Sequence, residues 1–500
     1  MNYFASVIME KQLNYVFMLS LEEMALRRLA VALWNADILA SIGKLQLNPN
    51  DDPVWIQEWH ETFEDKMSKL QLPASLSKKI IPILKAVGSE IPKWKLFHET
   101  YLSFSNEEFS VHVLEKLCWT TAGTVDYRKT ADEIVRSDVV NIAKRFQLAC
   151  FYCLENYIPL FWKELHEYEE DTSPDEMPHL QLFLPYILRR EEYNLGYSPL
   201  TSFPRNSFEY SAFYENKTAA EYRFWRLTEE EREASLVQIA ENVIRYRNDT
   251  YPFDVRRGKL SDVLSYLLSL MTPEKQIQIF KELPCEVLRC FLDWPWQDLF
   301  LDIADVIWTF LPESKYDMLL LKISESIRSS GYYFPNLIQN LFLRSPIDFR
   351  KHFVDFECRK SCFFPEFFYC EDVETIKVIF RNVDAAERVR LVTSKYAFQL
   401  FCNFILRGKW NLVEVCLREA TLSKEDKERL EEGFMRFLRR IDRGQLEWGT
   451  PKWGGLFAFL YESDASAQSK RRSDDETLPE AKKLCCEKEE NSTKYLRENC

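Results

Sequence analysis

Six times in the second half of this chain an apolar helical run ends at a Ser, Thr, Asp or Pro and is followed at once by a charged helix start. The landmark reads Leu227-Thr228-Glu229, Met271-Thr272-Pro273-Glu274, Leu311-Pro312-Glu313, Leu343-Arg344-Ser345-Pro346, Val383-Asp384-Ala385-Ala386-Glu387 and Leu422-Ser423-Lys424-Glu425. Successive starts lie 44, 40, 32, 40 and 39 residues apart. A side-chain oxygen before the first turn, proline at its first position and acids within it are the chemistry of a helix N-terminus. Recurrence at this interval fits one helical hairpin per repeat.

The runs between landmarks have helical periodicity. Leu260, Val263, Leu264, Leu267, Leu268 and Met271 follow i, i+3, i+4, i+7, i+8 and i+11, which is one face of a helix. Leu299, Ile303, Val306, Ile307 and Phe310 repeat the logic before Pro312, and Val373, Ile376, Ile379 and Phe380 before Asp384. Asp384 and Glu387 have the spacing of a capping box. With only 12 glycines in 500 residues, phosphate-cradling loops and tightly turned sheets start at a disadvantage. The expected fold is therefore all-α: an N-terminal helical domain, then an α-solenoid-like array of helical hairpins.

The expected organisation is an N-terminal helical domain over 1–191, a connector over 192–223, about five hairpin units over 224–440, a Trp/Gly-rich closing segment over 441–461 and a disordered charged tail over 462–500. Within the first domain the reading places helices at Leu21–Ile42, at Trp55-Ile56-Trp59-Phe63, at Ile80 to about Gly88, and in one long run from about Thr130 to Glu170. The turn-rich closing segment is expected to pack Trp448 and Trp453 over the end of the array.

Charge and cysteine narrow the setting. The net charge of −13 argues against general binding to nucleic acid or an acidic membrane surface. Thirteen irregularly spaced cysteines, mostly within apolar helical runs, read as free thiols in a reducing compartment. The uncharged stretch Gln12 to Leu21 is short for a leader, and no run approaches about 20 apolar residues. The reading is cytoplasmic. It becomes nuclear if Lys470-Arg471-Arg472 and Lys482-Lys483 serve as a two-part import signal.

Chemistry-bearing motifs are sparse. Cys150 and Cys153 form a C-x-x-C that suits a redox pair or half a zinc site, but they sit in Leu148-Ala149-Cys150-Phe151-Tyr152-Cys153-Leu154, a core-like setting. His352, Cys358, Cys362 and Cys370 place four possible zinc ligands within 19 residues, in a spacing without a zinc-finger pattern and among many phenylalanines. None of the six histidines falls in a catalytic pairing, and neither a nucleophile elbow nor a Walker sequence is present. The chain is expected to be no enzyme and to need no cofactor.

Two resemblances sharpen this. Gly408-Lys409-Trp410-Asn411-Leu412-Val413-Glu414-Val415-Cys416-Leu417 resembles the second half of an ankyrin repeat, and Asp372-Val373 and Asp262-Val263 begin similar segments, although the Thr-Pro-Leu-His entry is missing. That resemblance implies an ankyrin-like or general α-solenoid array that binds proteins. Leu21, Ala25 and Leu29, within Ser20-Leu21-Glu22-Glu23-Met24-Ala25-Leu26-Arg27-Arg28-Leu29, are similar to the elongin-binding box of SOCS-type ubiquitin-ligase adaptors, which usually follows the repeats and usually has Cys second. The functional expectation is a non-enzymatic protein-interaction scaffold. The alternatives are a ubiquitin-ligase substrate adaptor working through that helix, and an enzyme or metal-binding protein whose site is assembled from distant helices.

Overall fold

A computed structural model describes residues 19–34, 69–105, 108–167, 203–249, 257–316, 319, 320, 323, 335–360, 364–369, 371–441 and 453–461. Among these the fold is all-helical apart from one isolated bridge between Trp119 and Val125. No described helix is long and apolar enough to cross a membrane.

The first unit holds α1 (Leu21–Leu33), α2 (Ala74–Leu102), α3 (Val111–Leu114), α4 (Tyr127–Arg136), α5 (Ile142–Phe151) and α6 (Ile158–Glu167). A capping box starts α1. The Ser20 hydroxyl accepts from the Glu23 amide at 3.2 Å, while the Glu23 carboxylate accepts from the Ser20 amide at 2.8 Å. Leu26, Ala30 and Trp34 then turn inward against α2.

Helix α2 does not stop near Gly88 as the sequence suggests; it runs on through Gly88 and Pro92 to Leu102. The glycine is a packing notch, because a Cβ there would lie 1.9 Å from Cζ2 of Trp34, whose indole nitrogen donates to the Leu84 carbonyl at 3.2 Å. Pro82 and Pro92 each remove a helical hydrogen bond, at about 3 kcal/mol. Burial of Ile80, Leu84, Val87, Ile91, Trp94 and Phe97, at roughly 1.5–3 kcal/mol each, outweighs that loss.

The expected long helix from Thr130 to Glu170 is instead three helices, α4 to α6. Ser137 leaves α4 in extended conformation, Asn141 caps α5 by accepting from the Lys144 amide at 2.9 Å, and Cys153 takes φ 53 after α5. The apolar residues on both sides of these breaks concealed them from a reading of periodicity.

The second unit begins inside the stretch expected to be a connector, with α7 (Phe203–Phe213) and α8 (Lys217–Phe224). It continues through α9 (Glu229–Asp249), α10 (Arg257–Ser269), α11 (Pro273–Glu282), α12 (Pro284–Cys290) and α13 (Gln297–Ile307). After residue 334 follow α14 (Pro335–Arg344), α15 (Ile347–Lys360), α16 (Phe364–Tyr369), α17 (Val373–Arg381), α18 (Ala385–Thr393), α19 (Lys395–Leu406), α20 (Trp410–Ala420), α21 (Lys424–Ile441) and α22 (Gly454–Tyr461). One continuous apolar core runs through them from Phe208 to Leu460, separate from the core of the first unit.

The landmarks prove to be helix starts. Thr228 and Glu231 form a capping box on α9, and Asp384 and Glu387 another on α18. Ser423 is capped reciprocally by Asp426 on α21. Pro273 opens α11 after an extended Thr272, but the Thr272 hydroxyl accepts no capping bond from the helix backbone. Ser345 donates back to the Phe342 carbonyl at 2.7 Å instead of capping α15. Asp372 caps α17, whereas Asp262 lies within α10 and begins nothing. All six residues from Leu260 to Met271 in the apolar stripe are buried.

Helix packing in the last third follows a fixed order. α14 packs on α17 and α17 on α20, while α15 packs on α18 and α18 on α21. α22 closes the end against α20 and α21, with Trp453 buried edge-on to Phe434 at 5.6 Å. Trp448 and the tail from 462 onward lie outside the described residues.

The notch at Gly88 reverses the usual sign of a helix substitution. Gly88→Ala is expected to lower unfolding stability by about 1–3 kcal/mol through its collision with Trp34. Gly258→Ala in α10, whose new methyl meets nothing within 4 Å, should gain up to about 1 kcal/mol. Urea titrations of the two variants measure both.

Candidate functional site

The motifs singled out in the sequence fall partly within and partly outside the described residues. Cys150 and Cys153 are buried free thiols, Cys150 in the first core and Cys153 in a small cluster with Ala219. Burial pushes the Cys153 thiol up to about 12 against the pull of Arg223, Arg226 and Arg128, and raises Cys150 as well. A thiol held protonated is a poor nucleophile and a poor metal ligand, so this pair packs. His352 and Cys358 both lie on α15, and burial pushes Cys358 up to about 11; Cys362 and Cys370 lie outside the described residues. Among the described residues no group of three or more His, Cys, Asp or Glu is placed to hold a metal ion. Lys470, Arg471, Arg472, Lys482 and Lys483 also lie outside them.

Leu21, Ala25 and Leu29 do share one face of α1. Leu21 is 82% exposed, Ala25 is exposed and Leu29 is half-buried against the first core. The opposite face carries Leu26, Arg27 and Ala30, all buried. The ion pair between Glu22 and Lys79 of α2 flanks the outer face at 2.6 Å.

The densest polar constellation was not legible in the sequence. It lies in the seam between the two units and is built outward from Asp293. Arg247 of α9, with no exposed surface, donates to Asp293 through Nε at 3.0 Å and Nη2 at 2.8 Å. The Ser261 hydroxyl adds a bond at 2.6 Å. Three residues on in the loop, the Trp296 indole donates to Asp262 at 2.7 Å, and Asp262 also holds the Lys259 ammonium at 2.9 Å. Lys259 in turn sits 3.8 Å from the ring centre of Tyr127, across the seam on α4.

The other half is built from α1. Arg27 donates to the Ala122 carbonyl at 2.9 Å and to Asp298 at 2.5 Å, and its guanidinium lies 4.4 Å from the ring centre of Trp294. Further along, Tyr101 donates to Glu215 at 2.7 Å and the Asn216 amide to the Phe151 carbonyl at 2.7 Å. Tyr222 and Arg226 both reach Glu155.

Electrostatics decide what this cluster can do. Burial alone would lower the Lys259 ammonium, but Asp262 and Glu90 more than offset it and raise the group, so it remains a cation. The Tyr127 hydroxyl is pushed well up by burial and then by Glu90, Asp262 and Glu215. Neither group changes charge near neutral pH, which suits fixed pairing and not proton transfer. Asp298 is raised by burial, against the lowering effect of Arg27.

Beside the seam lies His98, fully buried among Trp94, Phe97, Phe104 and Tyr152. Its Nδ1 meets the Trp94 carbonyl at 2.7 Å and its Nε2 the Tyr152 hydroxyl at 2.8 Å. Burial, aided by Lys259 and opposed by the Trp94 bond, lowers it to about 4. A void of about 10 Å³ lies elsewhere, between Glu357, Phe364, Phe380, Leu400 and Cys416, and holds at most one water.

No protein-family model matches this chain, and no curated protein aligns with it.

Because His98 binds its proton less readily folded than unfolded, its contribution is intact above about pH 6.5 and is lost as pH falls toward 4. The loss amounts to about 3 kcal/mol. His98→Gln should flatten that part of the stability profile, read as denaturation midpoints between pH 7 and 4. An unchanged slope would remove His98 as its source.

Proposed function

We propose that this chain is a non-enzymatic protein-interaction scaffold whose second unit is an α-solenoid-like stack of helical units. The observation that carries this reading is the register of the last third. The α14, α17 and α20 starts at Pro335, Val373 and Trp410 are 38 and 37 residues apart, and those of α15, α18 and α21 at Ile347, Ala385 and Lys424 are 38 and 39 apart. Polar links join successive units at nearly the same separation: Arg344 to Asp305 over 39 residues, Arg381 to Glu419 over 38, and Lys409 to Glu371 over 38. The repeating element in this reading is three helices, a hairpin plus a third helix of variable length (α16, α19, α22). Stacking buries one core and leaves variable side chains along an extended flank, which is the geometry repeat proteins use for binding.

A stacked array tolerates loss of a whole unit, because equivalent faces meet again. Deletion of residues 373–409 should leave a cooperatively folded chain with proportionately reduced ellipticity. Collapse to a molten or aggregated product would sink the array. For the scaffold role itself, the full chain tagged and purified from its native cells should carry a saturating protein partner; a metal or small molecule in its place would shift the reading to a ligand-binding protein.

A second reading, the elongin-dependent adaptor, draws support from the 82% exposure of Leu21 beside an exposed Ala25. In a mixing experiment with purified elongin B–elongin C, Leu21→Asp should abolish capture at unchanged melting temperature. Failure of the wild-type chain to bind would discard the adaptor and leave the scaffold standing.

A further inference from the structure

We propose that the seam is a separable joint keyed by Arg27, at which the first unit swings away from the second while both apolar cores stay folded. The two cores do not merge: Trp294 is buried at the seam yet belongs to neither. Along the α1 edge the seam is crossed by charged and cation–π contacts, Arg27 with Asp298 and Trp294 and Lys259 with Tyr127, beside the approach of the Trp294 ring to Gly123. Contacts of this kind return little net free energy, since each charge gives up water to form them.

Closure also strands polar atoms. Arg27 Nε, the Trp294 indole nitrogen and the Tyr127 hydroxyl are buried with no hydrogen-bond partner among the described residues. Opening returns all three to solvent and so offsets part of the contact energy lost. The far side of the seam also holds charged contacts, Tyr222 and Arg226 on Glu155, but adds apolar and backbone ones to them. There Tyr214 packs edge-on to Tyr101 at 5.4 Å, Ala219 is buried against Cys153, and Asn216 both caps α8 and reaches Phe151. That side is the hinge and the Arg27 side the opening edge.

The groups that face Arg27 are Asp298 and the ring of Trp294 from the second unit and the Ala122 carbonyl from its own; Glu23 stands close enough to Asp298 to act on it. Opening would uncover Trp294 with Asp298 and the Lys259–Asp262 pair on the second unit, and Tyr127 with Arg27 on the first, all hidden in the closed form. Arg27 also shares α1 with Leu21 and Ala25 on the opposite face, so a partner gripping that face bears directly on the key.

Hydroxyl-radical footprinting of the full chain tests the joint residue by residue. Arg27→Gln should raise oxidation of Trp294 and Tyr127 by about fivefold or more while Trp94 and Phe280, one in each core, stay at wild-type levels. A parallel rise at all four residues would mean a single cooperative body, and no rise at Trp294 and Tyr127 would mean Arg27 is no key; either overturns the proposal. Should Arg27→Gln fail to fold, Asp298→Asn breaks the same contact from the other side. It must give the same selective pattern, in smaller measure, for the joint to stand.

Discussion

Asp293 is the point on which the arrangement of this molecule turns. Its carboxylate takes both prongs of the Arg247 guanidinium and the Ser261 hydroxyl, tying α9 and α10 to the loop after α12. The loop then sends two indoles in opposite directions. Trp296 turns back into its own unit to meet Asp262, and Trp294 turns outward to receive Arg27 of the first unit. Without a partner for its charge, Arg247 would be a fully buried uncompensated cation, a situation worth several kcal/mol of instability. The same pairing that keeps α9 and α10 in register therefore sets the platform on which the first unit rests.

What the sequence revealed and what it concealed divide along the range of the interactions. Helix starts were legible because a cap is a contact over three residues: Thr228 with Glu231, Asp384 with Glu387, Ser423 with Asp426. The stripe from Leu260 to Met271 was legible because its period is a local property of one helix. Gly88 misled because a glycine that ends a helix and a glycine that admits a crossing indole look alike until the indole, 54 residues away, is in place. The breaks on either side of α5 misled because buried apolar residues continue through them. The stretch before residue 224 looked irregular, yet Phe208, Ala212, Ala220 and Phe224 supply its inward face, small and large in turn.

The seam was invisible for a stronger reason. Arg27 and Asp298 are 271 residues apart, Arg27 and Ala122 95, and Arg247 and Asp293 46. Nothing in the neighbourhood of Arg27 separates it from Arg28, its exposed neighbour on the same helix. Asp293 carried a faint signal, an acid set between Leu292 and Trp294-Pro295-Trp296, where a buried carboxylate demands a cation. The face bearing Leu21 and Ala25 stood out only through a resemblance, and its exposure is a property of how the other face of α1 packs.

These pairings also determine where the charge of the molecule resides. Arg27 with Asp298, Arg247 with Asp293 and Lys259 with Asp262 are each neutral as pairs. They remove cations and anions from the surface in equal number, so the net charge of −13 is carried by groups outside them. Separating the joint would split one of these pairs between the units, leaving Arg27 on the first and Asp298 on the second, while Lys259 keeps Asp262 beside it. Opening would therefore uncover one charge of each sign, on opposite faces of the seam, and leave the net charge of the molecule unchanged.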